Sequence, residues 1–240
     1  MKAEFKHIRG VIFDYGGTID TNGCHWAEVL WEAYCFVEVP VSKVQFREAY
    51  VQGERTLATQ PLIKPEHDFL DVLRIKTKIQ IDYLISKKII TNENSEMYIE
   101  SISQHCMKRV QEVVKKTNYI VEKISSKHKL ALVSNFYGNI RAVLENFHLL
   151  CRFDNIIESA VVGVRKPDPK IFTLGVEALQ LKAEEVVVIG DSFSKDILPA
   201  HKAGCHTIWL KGPAWEEKEE DETLCDAVIT DLKELEYLLL

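Results

Sequence analysis

The spacing of apolar and polar positions changes period along this chain, and the change divides it. Residues 8–14 (I-R-G-V-I-F-D) form a short apolar run ending in a carboxylate, followed by Y-G-G-T, whose paired glycines permit a tight turn. This predicts a strand and a loop. From about Cys24 to about Val114 the pattern turns helical. Trp26, Val29, Leu30, Ala33, Tyr34 and Val37 recur at helical spacing, Pro40 stops that helix, and Ser42 can cap the next. Pro61 and Pro65 mark a further break. Residues 68–85 read as a long amphipathic helix, and Asn94 or Ser95 can cap another that runs to about Val114.

The second half alternates. Strands are predicted at 129–134, 153–159, 186–189, 207–210 and 227–229, with helices at 139–147, 169–179, 197–203 and 232–239 between or after them. Short strands alternating with helices imply βαβ units and a doubly wound parallel sheet. Near-continuous apolar strands such as V-V-V-I fit a sheet covered on both faces. The expected architecture is an α/β core, interrupted after its first strand by a helical insertion.

Composition narrows the partners. The 240 residues carry 30 Lys and Arg against 36 Asp and Glu, a formal charge of −6. That length suits one large domain or one domain with a smaller companion. The acidic balance gives no general attraction to nucleic acid or to an anionic membrane, while leaving room for a local basic pocket. No apolar run reaches the roughly 18–20 residues of a membrane span, and residues 1–10 lack the apolar segment of a secretory signal. A cytoplasmic protein is expected. The six cysteines form no C-x-x-C pair and read as reduced thiols filling the core. The acidic run 216–222 reads as a solvated loop or helix start, and the eight histidines show no metal-ligand spacing.

Four polar groups fall at predicted strand ends, where open parallel sheets carry their active sites. Asp14 follows the first strand. Ser134 and Asn135 follow the second, and Lys166 lies in R-K-P-D-P-K after the third. Asp191 follows V-V-V-I-G, with Asp196 five residues on. At these residues the chain resembles the haloacid dehalogenase-like (HAD) superfamily, whose four signatures stand as D-Y-G-G-T-I-D (14–20), S-N (134–135), K-P (166–167) and G-D-S-F-S-K-D (190–196). The resemblance implies a Rossmann-like core over 1–20 and 114–240, a helical cap of the C1 type over 21–113, and hydrolysis of a small phosphorylated metabolite. It makes Asp14 the nucleophile that forms a covalent aspartyl intermediate. Asp14, the Gly16 backbone carbonyl, Asp191 and Asp196 would hold Mg²⁺. Ser134, Asn135, Gly17 and Lys166 would bind the phosphoryl group, Lys166 would also neutralise Asp14, and Thr18 would hydrogen-bond beside the nucleophile's loop. Asp196 could instead orient a metal-bound water or lock Lys166.

Position 16 departs from the family's phosphatases, which usually carry an Asp there as general acid and base. Such a group is typically worth ~10²–10⁴-fold, and here the residue is glycine. A slow or atypical phosphatase could draw a substitute from His25, Glu28, Glu32, Glu54, Arg55 or Tyr15. Phosphonate hydrolysis could use Lys64 as an imine-forming amine. C–halogen hydrolysis needs no leaving-group proton, although the fourth signature has the metal-binding form. A pseudoenzyme could use the same pocket to bind a phospho-ligand or a partner.

Overall fold

The computed structural model describes residues 5–215 and 220–240; the first part of the acidic run, 216–219, lies outside them. Six strands form one sheet: β1 (Gly10–Phe13), β2 (Lys129–Ser134), β3 (Asn155–Glu158), β4 (Val186–Gly190), β5 (His206–Leu210) and β6 (Ala227–Ile229). All pairings are parallel, in the order β3-β2-β1-β4-β5-β6. β1 and β4 are buried along their whole length, as their unbroken apolar runs require. Alternate residues of one strand serve opposite faces. Val11 and Phe13 join Leu130, Leu132, Val187 and Ile189 in one apolar cluster, while Ile12, Ala131, Val133 and Val188 join Ile171, Phe172 and Val176 in another.

After β1 the chain enters four helices: α1 (Trp26–Phe36), α2 (Lys43–Thr59), α3 (Phe69–Ser86) and α4 (Ser95–Ser125). Ser42 and Asp68 each open a helix through a reciprocal capping box, with Gln45 and Asp71 respectively. The helix expected to end near Val114 continues to Ser125. Its apolar stripe explains this, because Val114, Ile120, Val121 and Ile124 stay in register and are buried in the same cluster as Leu130 and Leu132 of β2. One helix thus serves both the insertion and the sheet. Shorter helices follow: α5 (Ile140–Asn146), α6 (Ser159–Val162), α7 (Lys170–Leu179), α8 (Leu198–Lys202) and α9 (Leu235–Leu239).

The sheet reverses direction at β1. The chain builds outward through β2 and β3, then returns to the other side through β4, β5 and β6. A crevice opens outside the carboxyl ends of strands at such a switch point, here between β2, β1 and β4. Among the described residues no helix is long and apolar enough to cross a membrane. All six cysteines are free; Cys35 and Cys151 are exposed rather than core fillers, because each lies on the outer side of a helical turn.

Candidate active site

The first strand delivers Asp14 to the switch point, where its N–H donates to the Ile189 carbonyl of β4 at 3.0 Å. The side chain is buried. Lys166 reaches it from the loop after β3: its Nζ donates to Asp14 Oδ1 at 2.6 Å and to Asp196 Oδ1 at 2.7 Å. Lys166 is itself placed by Asn135. The Asn135 Oδ1 accepts from Lys166 N–H at 2.9 Å, and its Nδ2 donates to the Lys166 carbonyl at 3.1 Å. The Asn135 side-chain amide thus holds the backbone of Lys166. Asp196 Oδ2 accepts from Ser192 N–H at 3.0 Å, so both its oxygens are engaged. It thereby anchors the Lys166 ammonium.

Thr18 ties the nucleophile's loop to the end of β4. Its Oγ1 donates to Asp191 Oδ1 at 3.1 Å and accepts from Asp191 N–H at 3.0 Å. Trp209 Nε1 donates to the Asp191 carbonyl at 2.8 Å. Gly17 is required where it stands. Its φ is +94°, and a Cβ there would lie 2.4 Å from Asp191 Oδ2. Gly16 is under no such constraint, with φ −78° and ψ 116° and nothing within 4 Å of a Cβ. Gly17→Ala is therefore expected to destabilise by roughly 1–3 kcal/mol from backbone strain alone, and Gly16→Ala by much less. Urea unfolding of the two variants checks this; equal losses would contradict it.

Oxygens of Asp14, Asp191 and Asp196 lie within 4.8 Å of one another. The Lys166 ammonium faces this charge. Burial, followed by the influence of Lys166 and Asp196, leaves the Asp14 carboxyl raised to about 6. Burial and the charges of Asp196 and Asp14 push Asp191 well above the usual carboxylate range. Asp20, buried and hydrogen-bonded to Gly17 N–H at 2.7 Å and to Trp26 Nε1 at 2.9 Å, is raised by burial to about 7. Crowded, dry carboxylates are what a hard divalent cation would offset.

Above this floor lies a cavity of about 660 Å³. Asp14, Gly16, Gly17, Ser134, Asn135, Lys166, Asp191 and Asp196 line it, joined from the helical insertion by His25, Trp26, Tyr50, Glu54 and Lys76. All the site residues expected from the signatures meet here except Thr18, which supports the floor from beneath. Of the six expected substitutes for an acid at position 16, only His25 and Glu54 line the cavity. Glu28 pairs with Lys43, Glu32 with Arg109, Arg55 is exposed, and the Tyr15 ring is buried against Phe69 and Phe136. Lys64 is exposed and away from the cavity.

Lys76 is the residue that reading from sequence missed. It lies on the buried face of α3, with Val72, Leu73, Thr77, Gln80 and Ile81. A lysine at a core-facing helical position was the available signal. Its Nζ pairs with Glu54 Oε1 at 2.7 Å. Burial works against its charge, but Glu54, Tyr137 and Tyr50 outweigh burial and hold it well above the ordinary lysine value.

The family signature of haloacid dehalogenase-like hydrolases matches residues 8–204. The chain belongs to that family. Among its relatives, a glyceraldehyde 3-phosphate phosphatase of Pyrococcus furiosus is 35% identical over 97 residues, 40% of this chain and 38% of that protein. A phosphoserine phosphatase of Thermus thermophilus is 31% identical over 107 residues, 44% of this chain and 42% of that one. The chain thus spans about two fifths of the length of these curated relatives. The HAD-hydrolase YfnB of Bacillus subtilis, solved bound to magnesium, shares the fold over 98% of this chain and 99% of its own, with a TM-score of 0.62 at 19% identity. This HAD hydrolase therefore has the Rossmann-like core and helical insertion that its signatures imply.

Proposed function

We propose that this HAD hydrolase cleaves phosphate monoesters of small molecules, with Asp14 as nucleophile and Mg²⁺ as cofactor. The observation that carries the reading is the buried Lys166 ammonium, which holds Asp14 at 2.6 Å and Asp196 at 2.7 Å on the floor of the cavity. A lysine so placed aims the nucleophile and offsets negative charge as a phosphoryl group arrives. Residues 1–20 and 114–240 would form the catalytic core and 21–113 the cap, with α4 running from one into the other. The free thiols favour a cytoplasmic setting.

Asp14 Oδ attacks phosphorus, the ester P–O bond breaks, and an aspartyl phosphate forms. Ser134, buried at the end of β2 beside Lys166, would hold phosphoryl oxygens. Asp14 and Asp191, with the Gly16 carbonyl, would hold the metal, and Asp196 would act chiefly through Lys166. Bound Mg²⁺ would screen Asp14 from the incoming phosphate and stabilise charge on its oxygens. The test is release of inorganic phosphate from a broad phosphomonoester panel with and without Mg²⁺. Release that depends on Mg²⁺ is expected, and none across the panel would overturn the reading.

The raised carboxyls give a pH prediction. Asp14 and Asp20 sit at about 6 and about 7 when folded, above their unfolded values. The folded state therefore binds more protons, and metal-free stability from these groups falls as pH rises from the ordinary carboxylate range through about 7. Protons also compete with Mg²⁺ for Asp14. The rise in melting temperature on adding Mg²⁺ should be larger at about pH 8 than at about pH 5; an equal or smaller rise at the higher pH would contradict this.

A further inference from the structure

We infer that the Glu54–Lys76 pair of the helical insertion performs the proton transfers that a carboxylate at position 16 would otherwise perform; the inference rests on the phosphatase reading. Gly16 leaves the loop beside Asp14 without an acid, although its backbone and surroundings would admit one. The two cavity-lining candidates differ in what they have to offer. His25 spends its Nδ1 lone pair on the Ala27 N–H at 3.1 Å, capping α1, and so cannot take a proton there. Glu54 has one oxygen on Lys76 and the other uncommitted among the hydrogen bonds and ion pairs of the described residues.

The pair is built into the crossing of α2 and α3. Gly53 occupies a helix interior, at a propensity cost of about 1 kcal/mol relative to Ala. A Cβ there would come within 3.3 Å of the Gln80 side chain, so the glycine lets the two helices approach. That approach sets Glu54, the next residue, against Lys76, one turn before Gln80. The Lys76 ammonium stands 5.9 Å from the Trp26 ring centre and 5.9 Å from that of Tyr137. Trp26 is bonded to Asp20 and through it to Gly17, and Tyr137 follows Asn135 by two residues. The ammonium is thus bracketed by the ring that opens α1, which is hydrogen-bonded to the first signature through Asp20, and by a ring of the loop after β2.

The chemistry balances. In the first step Asp14 bonds to phosphorus, the ester P–O bond breaks, and the departing oxygen takes a proton from the Lys76 ammonium. In the second a water bonds to phosphorus, its proton passes to Glu54, and the P–O bond to Asp14 breaks, returning the carboxylate and releasing phosphate. Glu54 then returns the proton to the neutral Lys76 across their contact. The sum is ester plus water to alcohol plus phosphate.

Two variants separate the halves of the cycle, measured with 4-nitrophenyl phosphate and phenyl phosphate, which differ in leaving-group acidity. Lys76→Met should slow phenyl phosphate by ~10²-fold or more and 4-nitrophenyl phosphate much less, because nitrophenolate needs no proton. Glu54→Gln should slow both to a similar degree, by ~10²-fold or more. It should also show a stoichiometric burst of nitrophenol and carry phosphate on Asp14, detected by mass spectrometry of the quenched protein. Gly16→Asp in the Glu54→Gln background should restore turnover and abolish the burst. Near-parental rates in both single variants, or equal losses on both substrates without a burst, would overturn this inference alone, provided the parent is active and Asp14→Asn is not. No hydrolysis by the parent would overturn the phosphatase reading and this inference together.

Discussion

Asp14→Asn is expected to lower phosphatase turnover by on the order of 10⁴–10⁶-fold while leaving the metal-free protein as stable as the parent or more so. The first effect follows because an amide oxygen, with its electron pair delocalised, does not open the covalent route. The second follows from the surroundings of the carboxylate, which is buried with Asp196 and Asp191 close by and raised to about 6. Above that pH the folded protein holds a charge that water would hold more cheaply, and the neutral isostere removes it. The gain should be present at pH 8, shrink as pH falls through about 6, and disappear only below the unfolded value of 3.8, where Asp14 is protonated in both states. Parallel measurement of phosphate release and melting temperature checks the pair of effects. Retained turnover would remove Asp14 from the nucleophile's role, and a large loss of stability at pH 8 would contradict the electrostatic account.

Lys166→Met is expected to cost stability and activity together. The ammonium holds Asp14 at 2.6 Å and Asp196 at 2.7 Å, and the Asp196 side chain is 1% exposed. Removing one partner of a buried ion pair leaves uncompensated charge, typically a loss of ~3–5 kcal/mol. Without the lysine the Asp14 carboxyl moves further up, so the folded state gains protons relative to the unfolded one and the loss grows as pH rises. Urea unfolding should show a large deficit at pH 8 that shrinks at pH 5. A pH-independent deficit would point to packing against Phe172, whose ring centre lies 5.5 Å from the ammonium. Turnover should fall by ~10²–10³-fold, in line with the loss of one preorganised charge-stabilising group.

Much of the fold was legible because its signals are local. Unbroken apolar runs marked β1, β2 and β4, the capping residue Ser42 marked the start of α2 to the residue, and the amphipathic stretch from 68 marked α3 to within one residue at each end. The end of α4 was misplaced because its stripe changes partner without changing period: Met107 and Val110 are followed at helical spacing by Val114, Ile120 and Ile124 against the sheet. The cysteines at 35 and 151 misled because composition does not specify the side of a turn.

The site divides in the same way. Asp14, Ser134, Lys166, Asp191 and Asp196 were named from their places at strand ends, where backbone direction in a parallel sheet sends every carboxyl terminus to one edge. Their separate tasks were legible only in part: locking Lys166 is one expectation for Asp196 and bonding beside the nucleophile's loop is that for Thr18, whereas no sequence signal marks the bonds of the Asn135 amide to the Lys166 backbone. Asn135 became a brace for the Lys166 backbone, Asp196 the second anchor of its ammonium, and Thr18 the tie between β4 and the nucleophile's loop. Sequence order determined the strands, the helical insertion and the set of residues brought to the switch point, since these depend on periodicity and on short-range chemistry. Only the tertiary structure decided that the space beside Gly16 is open, that Lys76 is the cap's buried cation, and that Glu54 is its partner. Those facts depend on the close crossing of α2 and α3 at Gly53, an approach between side chains 22 positions apart that no local pattern records.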